Sequence, residues 1–154
     1  MTFKTMSMME LPYKVLQKSS INQTLLEMAQ TSSDWFTYFY FDTLLIPDNI
    51  LNEDPFFKKL PPHKAGILRM PPNTCYDWHV DDERGWTINM LLAPAKSHCL
   101  FGSKEGQSFP FIELNYEPGY YYAFNTQVPH TVFNFEEARY LLSIQFDDPT
   151  FQPT

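Results

Sequence analysis

The stretch GYYYAFNTQVPHTVFNFEEARYLLSIQF, residues 119–146, divides into three strand-length runs at 119–125, 130–134 and 140–146, separated by the turn-forming segments NTQVP and EEA. β-branched and aromatic residues dominate the runs, and polar residues interrupt them at intervals too short for a helical face. The same pattern extends upstream. Prolines at 47, 55, 61, 62, 71, 72, 94, 110, 118 and 129 punctuate further short runs at 65–70, 74–79, 86–92, 99–101 and 109–114. Many short strands with turn signals between them predict a mainly β domain of the sandwich, jelly-roll or barrel type.

The N-terminal third reads differently. Ser20 is placed to cap a helix over 20–30, with Ile21, Leu25, Leu26 and Met28 as its apolar positions. The aromatic run 34–45 is read as strand on its composition, and 48–60 as a helical turn and loop. Neither a linker nor a repeat separates these segments from the rest. The 154 residues are therefore expected to form one domain, with 1–60 as a short α/β cover and 61–154 as the β core.

Hydrophobic residues at 44% and aromatic residues at 17% are enough to fill such a core, which excludes wholesale disorder. Eighteen acidic against eleven basic residues give a net charge of −7, so phosphate backbones and anionic lipid are disfavoured partners. No run approaches the roughly 20 apolar residues of a membrane span, and the first residues lack the pattern of a secretory leader. The expectation is a soluble, intracellular, cytoplasmic protein. Its two cysteines, Cys75 and Cys99, are too few for a disulfide framework and are expected as thiols in half-buried packing positions.

Candidate chemistry begins at Trp78-His79-Val80-Asp81, at the end of the run 74–79. Residues two apart on a strand point to the same side, so His79 and Asp81 can converge on one metal ion. With 18 acidic residues in 154 such a pair arises readily by chance, and a charged surface turn is the plain alternative. What distinguishes it is the order that follows: a strand at 119–125, His130 opening the next, then Arg139 opening the last. His63 and His98 have no acidic neighbour at metal spacing and are left out.

From Arg69 through His79 and Asp81, then Phe124, His130, Asn134 and Arg139, the chain resembles the 2-oxoglutarate and Fe(II)-dependent oxygenases. Within them it looks most like the aspartyl/asparaginyl β-hydroxylase-type group, whose distal segment F-x-x-x-x-x-H-x-x-x-N followed by an Arg is matched by Phe124, His130, Asn134 and Arg139. The resemblance covers about the last 90 residues. It implies a double-stranded β-helix, a cupin-like jelly roll with the metal at one open end. It also implies His79, Asp81 and His130 as Fe(II) ligands, leaving positions for 2-oxoglutarate and O2. Arg139, a permanently charged fork of donors, would take the far carboxylate of 2-oxoglutarate, with Ser143 on the same face of the strand adding a hydroxyl. The implied reaction is decarboxylation of 2-oxoglutarate to succinate and CO2 coupled to hydroxylation of a C–H bond in a peptide side chain or small molecule.

The β-hydroxylase group often has Gly where Asp81 stands; here Asp81 completes the triad of the wider superfamily. That group also tends to carry basic residues on the strand after the metal pair, where this chain offers the neutral Thr87 and Asn89 as cosubstrate-binding candidates. Tyr76, Trp86 and Tyr122 are candidates for the substrate pocket, with core packing as their plain alternative. Asn134 is a candidate donor beside the site or a turn-forming residue, and Arg139 has Glu136 and Glu137 nearby as alternative partners. Two rival readings stay open: a jelly-roll binding module without chemistry, and a non-redox cupin holding Zn or Mn on the same three side chains.

Overall fold

The computed structural model describes residues 10–102 and 111–154. Eleven strands among these residues form two antiparallel sheets. They are β1 (Tyr13–Lys18), β2 (Phe36–Tyr38), β3 (Phe41–Leu45), β4 (His63–Met70), β5 (Thr74–His79), β6 (Trp86–Leu91), β7 (Ser97–Gly102), β8 (Phe111–Leu114), β9 (Tyr120–Asn125), β10 (His130–Asn134) and β11 (Arg139–Phe146). The larger sheet runs β1-β9-β6-β11-β4-β3-β2 and the smaller β5-β10-β7-β8. From β4 onward the chain passes back and forth between the sheets, so neighbours in space are distant in sequence. This is the double-stranded β-helix. The expected strands are present with ends shifted by one or two residues, and positions 109 and 110 of the run 109–114 lie outside the described residues.

Strand alternation gives the larger sheet two different faces. Its outer face carries Ile67, Ile88, Met90, Tyr121, Leu142 and Ile144, all fully buried. Helix α1 (Asn22–Thr31) covers it with Leu25 and Ala29, helped by Ile21, one i, i+4 stripe. Short helix α2 (Asp48–Leu51) and a 3-10 turn at Pro55–Lys59 add Leu51 and Phe57. The inner face meets the smaller sheet across Cys99, Phe101, Ile112, Leu114, Tyr122 and Phe124. It also carries the buried polar residues Thr87, Asn89 and Arg139, so polar groups are set into the otherwise apolar space between the sheets.

Three sequence expectations need correction. Ser20 does not cap α1: Ile21 holds the N-cap position with no side-chain bond, and the Ser20 N–H instead donates to Asp54 Oδ2 at 3.0 Å. Ser19 and Ser20 belong to a tie between the N-terminal segment and the 3-10 turn, in which buried Asp54 also accepts from Tyr121 Oη at 2.7 Å. Neither cysteine is half-buried: Cys75 is exposed on the outer side of β5, whereas Cys99 is fully buried. The N-terminal third is more than a cover, since β1 and the β2–β3 hairpin extend the larger sheet at both edges.

Candidate metal centre

His79 ends β5 and His130 begins β10, and the antiparallel pairing of those strands sets the two residues opposite each other. A register shift between the pairs formed by His130 and Val132 bends β5 just before His79. Asp81 follows two residues later, and the ligand atoms of all three side chains lie within 4.8 Å of one another. His79 Nε2 is 3.4 Å and His130 Nε2 3.8 Å from Asp81 Oδ1. A common centre then lies within roughly 3 Å of each donor, and side-chain shifts of under about 1 Å would bring all three to the roughly 2.0–2.2 Å bond lengths of imidazole and carboxylate on a first-row metal. Among the described residues this is the one such cluster.

The orientation of the rings carries more information than their proximity. His79 Nδ1 lies 2.5 Å from the Asp77 carbonyl and His130 Nδ1 2.8 Å from the Val128 carbonyl. A carbonyl only accepts, so each Nδ1 carries a proton and is committed to the backbone, which leaves each Nε2 facing the centre of the cluster. Burial lowers the His130 pKa, against the opposing pull of the Val128 carbonyl and Asp81, which keeps the ring neutral and available as a ligand.

Thr87, Asn89, Tyr122, Arg139 and Ser143 share the inner face. Arg139 is 4% exposed, and its Nε has no hydrogen-bond partner among the described residues. Nor does an acidic side chain pair with it there: Glu136 engages Lys96 instead, at 3.4 Å. The guanidinium lies 5.7 Å over the ring of Tyr116 and borders a cavity of about 110 Å³ that Ser97 and Cys99 also line. Tyr116 was not foreseen from sequence. Burial pushes its phenol well above the ordinary range, so it is a neutral hydroxyl, accepting from Asn89 Nδ2 at 3.1 Å. Asn89 Oδ1 is buried without a partner among the described residues. Turning that amide over would let Tyr116 donate to the Asn89 oxygen and leave the N–H as the group without a partner. Burial likewise raises the Cys99 thiol to about 11, so it stays protonated.

The aromatic candidates separate. Tyr76 packs its ring 3.6 Å from that of His79, beside the cluster. Tyr122 is buried on the inner face against Tyr116. Trp86 is a correction: on β6 it alternates with Thr87 and Asn89 and shares the parity of Ile88 and Met90, the outer core, so it is turned away from the metal side. Asn134 is another. It ends β10 at the opposite end from His130, and its amide donates to the carbonyls of Met70, Pro71 and Glu137, fastening two strand connections. His98 pairs with Glu113 on the outer side of the smaller sheet, consistent with its omission.

The β2–β3 hairpin adds a feature whose position the sequence did not reveal. Phe39 and Tyr40 at its tip are 75% and 77% exposed, and Tyr40 and Phe41 reach the ring of Tyr76 at 5.5 and 5.1 Å. Phe39 adopts φ 55°, the left-handed conformation that closes the turn. An aromatic surface thus runs from the hairpin tip to His79.

No model of a known protein family matches the chain, and no curated protein matches it. Solved structures do. A Pseudomonas putida prolyl-4-hydroxylase aligns with TM-score 0.63 at 13% identity, over 88% of this chain and 91% of its own. An oxidoreductase of the 2OG-Fe(II) oxygenase family from Burkholderia pseudomallei aligns with TM-score 0.65 at 13% identity, over 88% and 84%. A Trichoplax adhaerens prolyl hydroxylase, solved with a peptide fragment of the hypoxia inducible factor oxygen degradation domain, aligns with TM-score 0.65 at 12% identity, over 88% and 83%. At these identities the likeness establishes the fold, the jelly roll that the strand order describes. Among the described residues no helix is long and apolar enough to cross a membrane.

Proposed function

We propose that the chain is an Fe(II)- and 2-oxoglutarate-dependent oxygenase that hydroxylates a C–H bond of a peptide side chain. Arg139 carries the reading: a buried guanidinium without an acidic partner among the described residues, on the inner face of a jelly roll whose mouth holds two Nε2 donors and a carboxylate. A buried unpaired cation is costly, and a bound anion relieves that cost.

The residues fit both groups. His79, Asp81 and His130 are a facial set of two imidazoles and one carboxylate, which suits Fe(II) and leaves coordination positions open. When bound, Fe(II) supplies the activation of O2 that couples conversion of 2-oxoglutarate to succinate and CO2 with insertion of one oxygen atom into the substrate. The protein's part is placement. His130 and Asn134 mark the two ends of β10, roughly 13 Å apart at strand rise, and Arg139 opens β11 near the far end. A long side chain reaching from below and a five-carbon dicarboxylate reaching from above suit that depth. Arg139 would hold the distal carboxylate, with Tyr116, Asn89, Thr87 and Ser143 as the neutral groups around it.

The exposed aromatic hairpin beside Tyr76 favours an extended peptide over a small metabolite, since flat aromatic surface at a site's rim suits a chain lying across it. The Trichoplax structure, with its bound peptide fragment, supports the same choice. The test is consumption of 2-oxoglutarate and formation of succinate by the purified protein with Fe(II) and ascorbate. Turnover that requires Fe(II) and is lost in Asp81→Ala and His130→Ala is expected; equal turnover in the variants overturns the assignment.

A further inference from the structure

Asp81 has to hold its carboxylate toward two imidazoles, which meet it through Nε2 at 3.4 and 3.8 Å, yet among the described residues no N–H or O–H donates to it. Its position is therefore set by its backbone. That backbone makes a tight turn immediately afterwards: the Arg84 N–H returns to the Asp81 carbonyl at 3.4 Å, and Glu83 takes φ 62°, which a residue with a Cβ adopts only when its surroundings hold it. Such a turn, carrying exposed Asp82 and Glu83, opens readily unless something fastens it.

The fastening comes from the connection between β9 and β10. The side-chain amide of Gln127 donates to the Asp81 carbonyl at 2.7 Å and to the Arg84 carbonyl at 2.5 Å, spanning the two ends of the turn. Its neighbour Thr126 completes the contact. The Thr126 carbonyl accepts from the Asp81 N–H at 3.2 Å, and Thr126 Oγ1 donates to the Gly85 carbonyl at 2.7 Å. Behind the turn, Pro149 closes against Gly85 so tightly that a Cβ there would meet the Pro149 carbonyl oxygen at 2.0 Å. The same β9–β10 connection supplies the Val128 carbonyl that fixes the His130 ring. One short segment thus sets His130 directly and Asp81 through the turn.

We propose that Gln127 is a positioning residue for the metal-binding carboxylate. By bridging the Asp81 and Arg84 carbonyls it holds the turn closed before any ion arrives, so that Asp81 is preorganised against His79 and His130. This rests on the metal reading of the triad but adds a residue that touches neither metal nor substrate. Gln127 is itself exposed, between buried Thr126 and Val128, and its amide is committed to carbonyls more than forty residues away in sequence. Its role is to link the two halves of the site, not to fill the core.

The test compares wild type with Gln127→Met, which keeps the length and removes both donors, and Gln127→Lys, whose ammonium can return them. Anaerobic Co(II) titration gives a dissociation constant and visible ligand-field bands; amide hydrogen exchange of the metal-free proteins reads the Asp81 N–H; thermal unfolding reads global stability. Gln127→Met is expected to bind Co(II) about tenfold more weakly, as loss of an outer partner of a ligand does, with altered bands and faster exchange at Asp81. Its unfolding temperature should stay near wild type, and Gln127→Lys should recover the affinity. Wild-type affinity and exchange in Gln127→Met overturn the proposal. So does a loss that Gln127→Lys leaves uncorrected and that follows the unfolding temperature, because that marks a general structural role. Absence of Co(II) binding by the wild type sinks the metal reading itself, and the exchange comparison then still decides whether Gln127 holds the turn.

Discussion

Replacing Arg139 by Met should stabilise the ligand-free protein while it weakens 2-oxoglutarate binding, and the opposite signs make the substitution informative. The guanidinium is 4% exposed, its Nε is unbonded, and no acidic side chain among the described residues neutralises it. Substituting a buried charge by an apolar side chain of similar length is neutral to stabilising by about 1–4 kcal/mol. The Tyr116 ring 5.7 Å away returns part of the burial cost, about 1 kcal/mol for a cation over an aromatic face, and that contribution disappears with the charge. The net gain is about 0–3 kcal/mol, or a rise of up to about 12 °C in unfolding temperature for a chain of this size. In the other direction, losing the charge-assisted hydrogen bonds to a carboxylate costs about 3 kcal/mol, more than a hundredfold in the dissociation constant. Circular-dichroism melts of the ligand-free proteins and calorimetric titration of the metal-loaded proteins with 2-oxoglutarate read the two effects. An Arg139→Met protein that melts several degrees below wild type would refute the reasoning, since the guanidinium would then be a structural partner.

The same structure yields three further expectations. Burial would raise the Asp54 pKa, but the N–H groups of Phe56 and Ser20 and the Tyr121 hydroxyl outweigh it and set it below the ordinary 3.8. The stability this supplies is present above the unfolded-state pKa and lost as pH falls through the folded-state value. Urea unfolding from pH 6 to pH 2.5 should therefore show an acid loss of stability that is smaller in Asp54→Asn. Gly85→Ala drives a Cβ into the backbone of Pro149 and should cost about 1–3 kcal/mol, seen as a lower unfolding temperature together with weaker Co(II) binding, because the strain falls on the turn behind Asp81. The double change Phe39→Ser, Tyr40→Ser at the hairpin tip should leave unfolding and substrate-independent 2-oxoglutarate turnover within twofold of wild type. It should reduce peptide-stimulated turnover about tenfold or more, and equal stimulation would remove the hairpin from the substrate surface.

Much of the site was legible because it depends on order along the chain. His79 and Asp81 are two apart on a strand end, His130 opens one strand and Arg139 the next, and a jelly roll converts that order into proximity without detailed packing information. What the sequence could not supply was face. Trp86 and Thr87 are adjacent, and which of them turns inward depends on the sheet packed against each side, so a parity error put Trp86 at the metal side. Asn134 fits a family pattern, yet its surroundings turn its amide to three backbone carbonyls. β1 escaped notice because YKVLQK is an edge strand with Val15 exposed, showing weak alternation and no core signal. Ser20 looked like a helix cap until Asp54, 34 positions away, engaged its N–H. Tyr116 and Gln127 sit in turns and act through long-range hydrogen bonds, which leave no local periodicity to read.

Anaerobic titration of the Fe(II)-loaded protein with 2-oxoglutarate, followed by the visible charge-transfer absorption of a keto acid chelating the iron, tests the oxygenase assignment most directly. A saturable band in the wild type that demands far more 2-oxoglutarate in Arg139→Met is the predicted result. Absence of the band at any concentration, in protein shown by elemental analysis to hold iron, would contradict the oxygenase assignment.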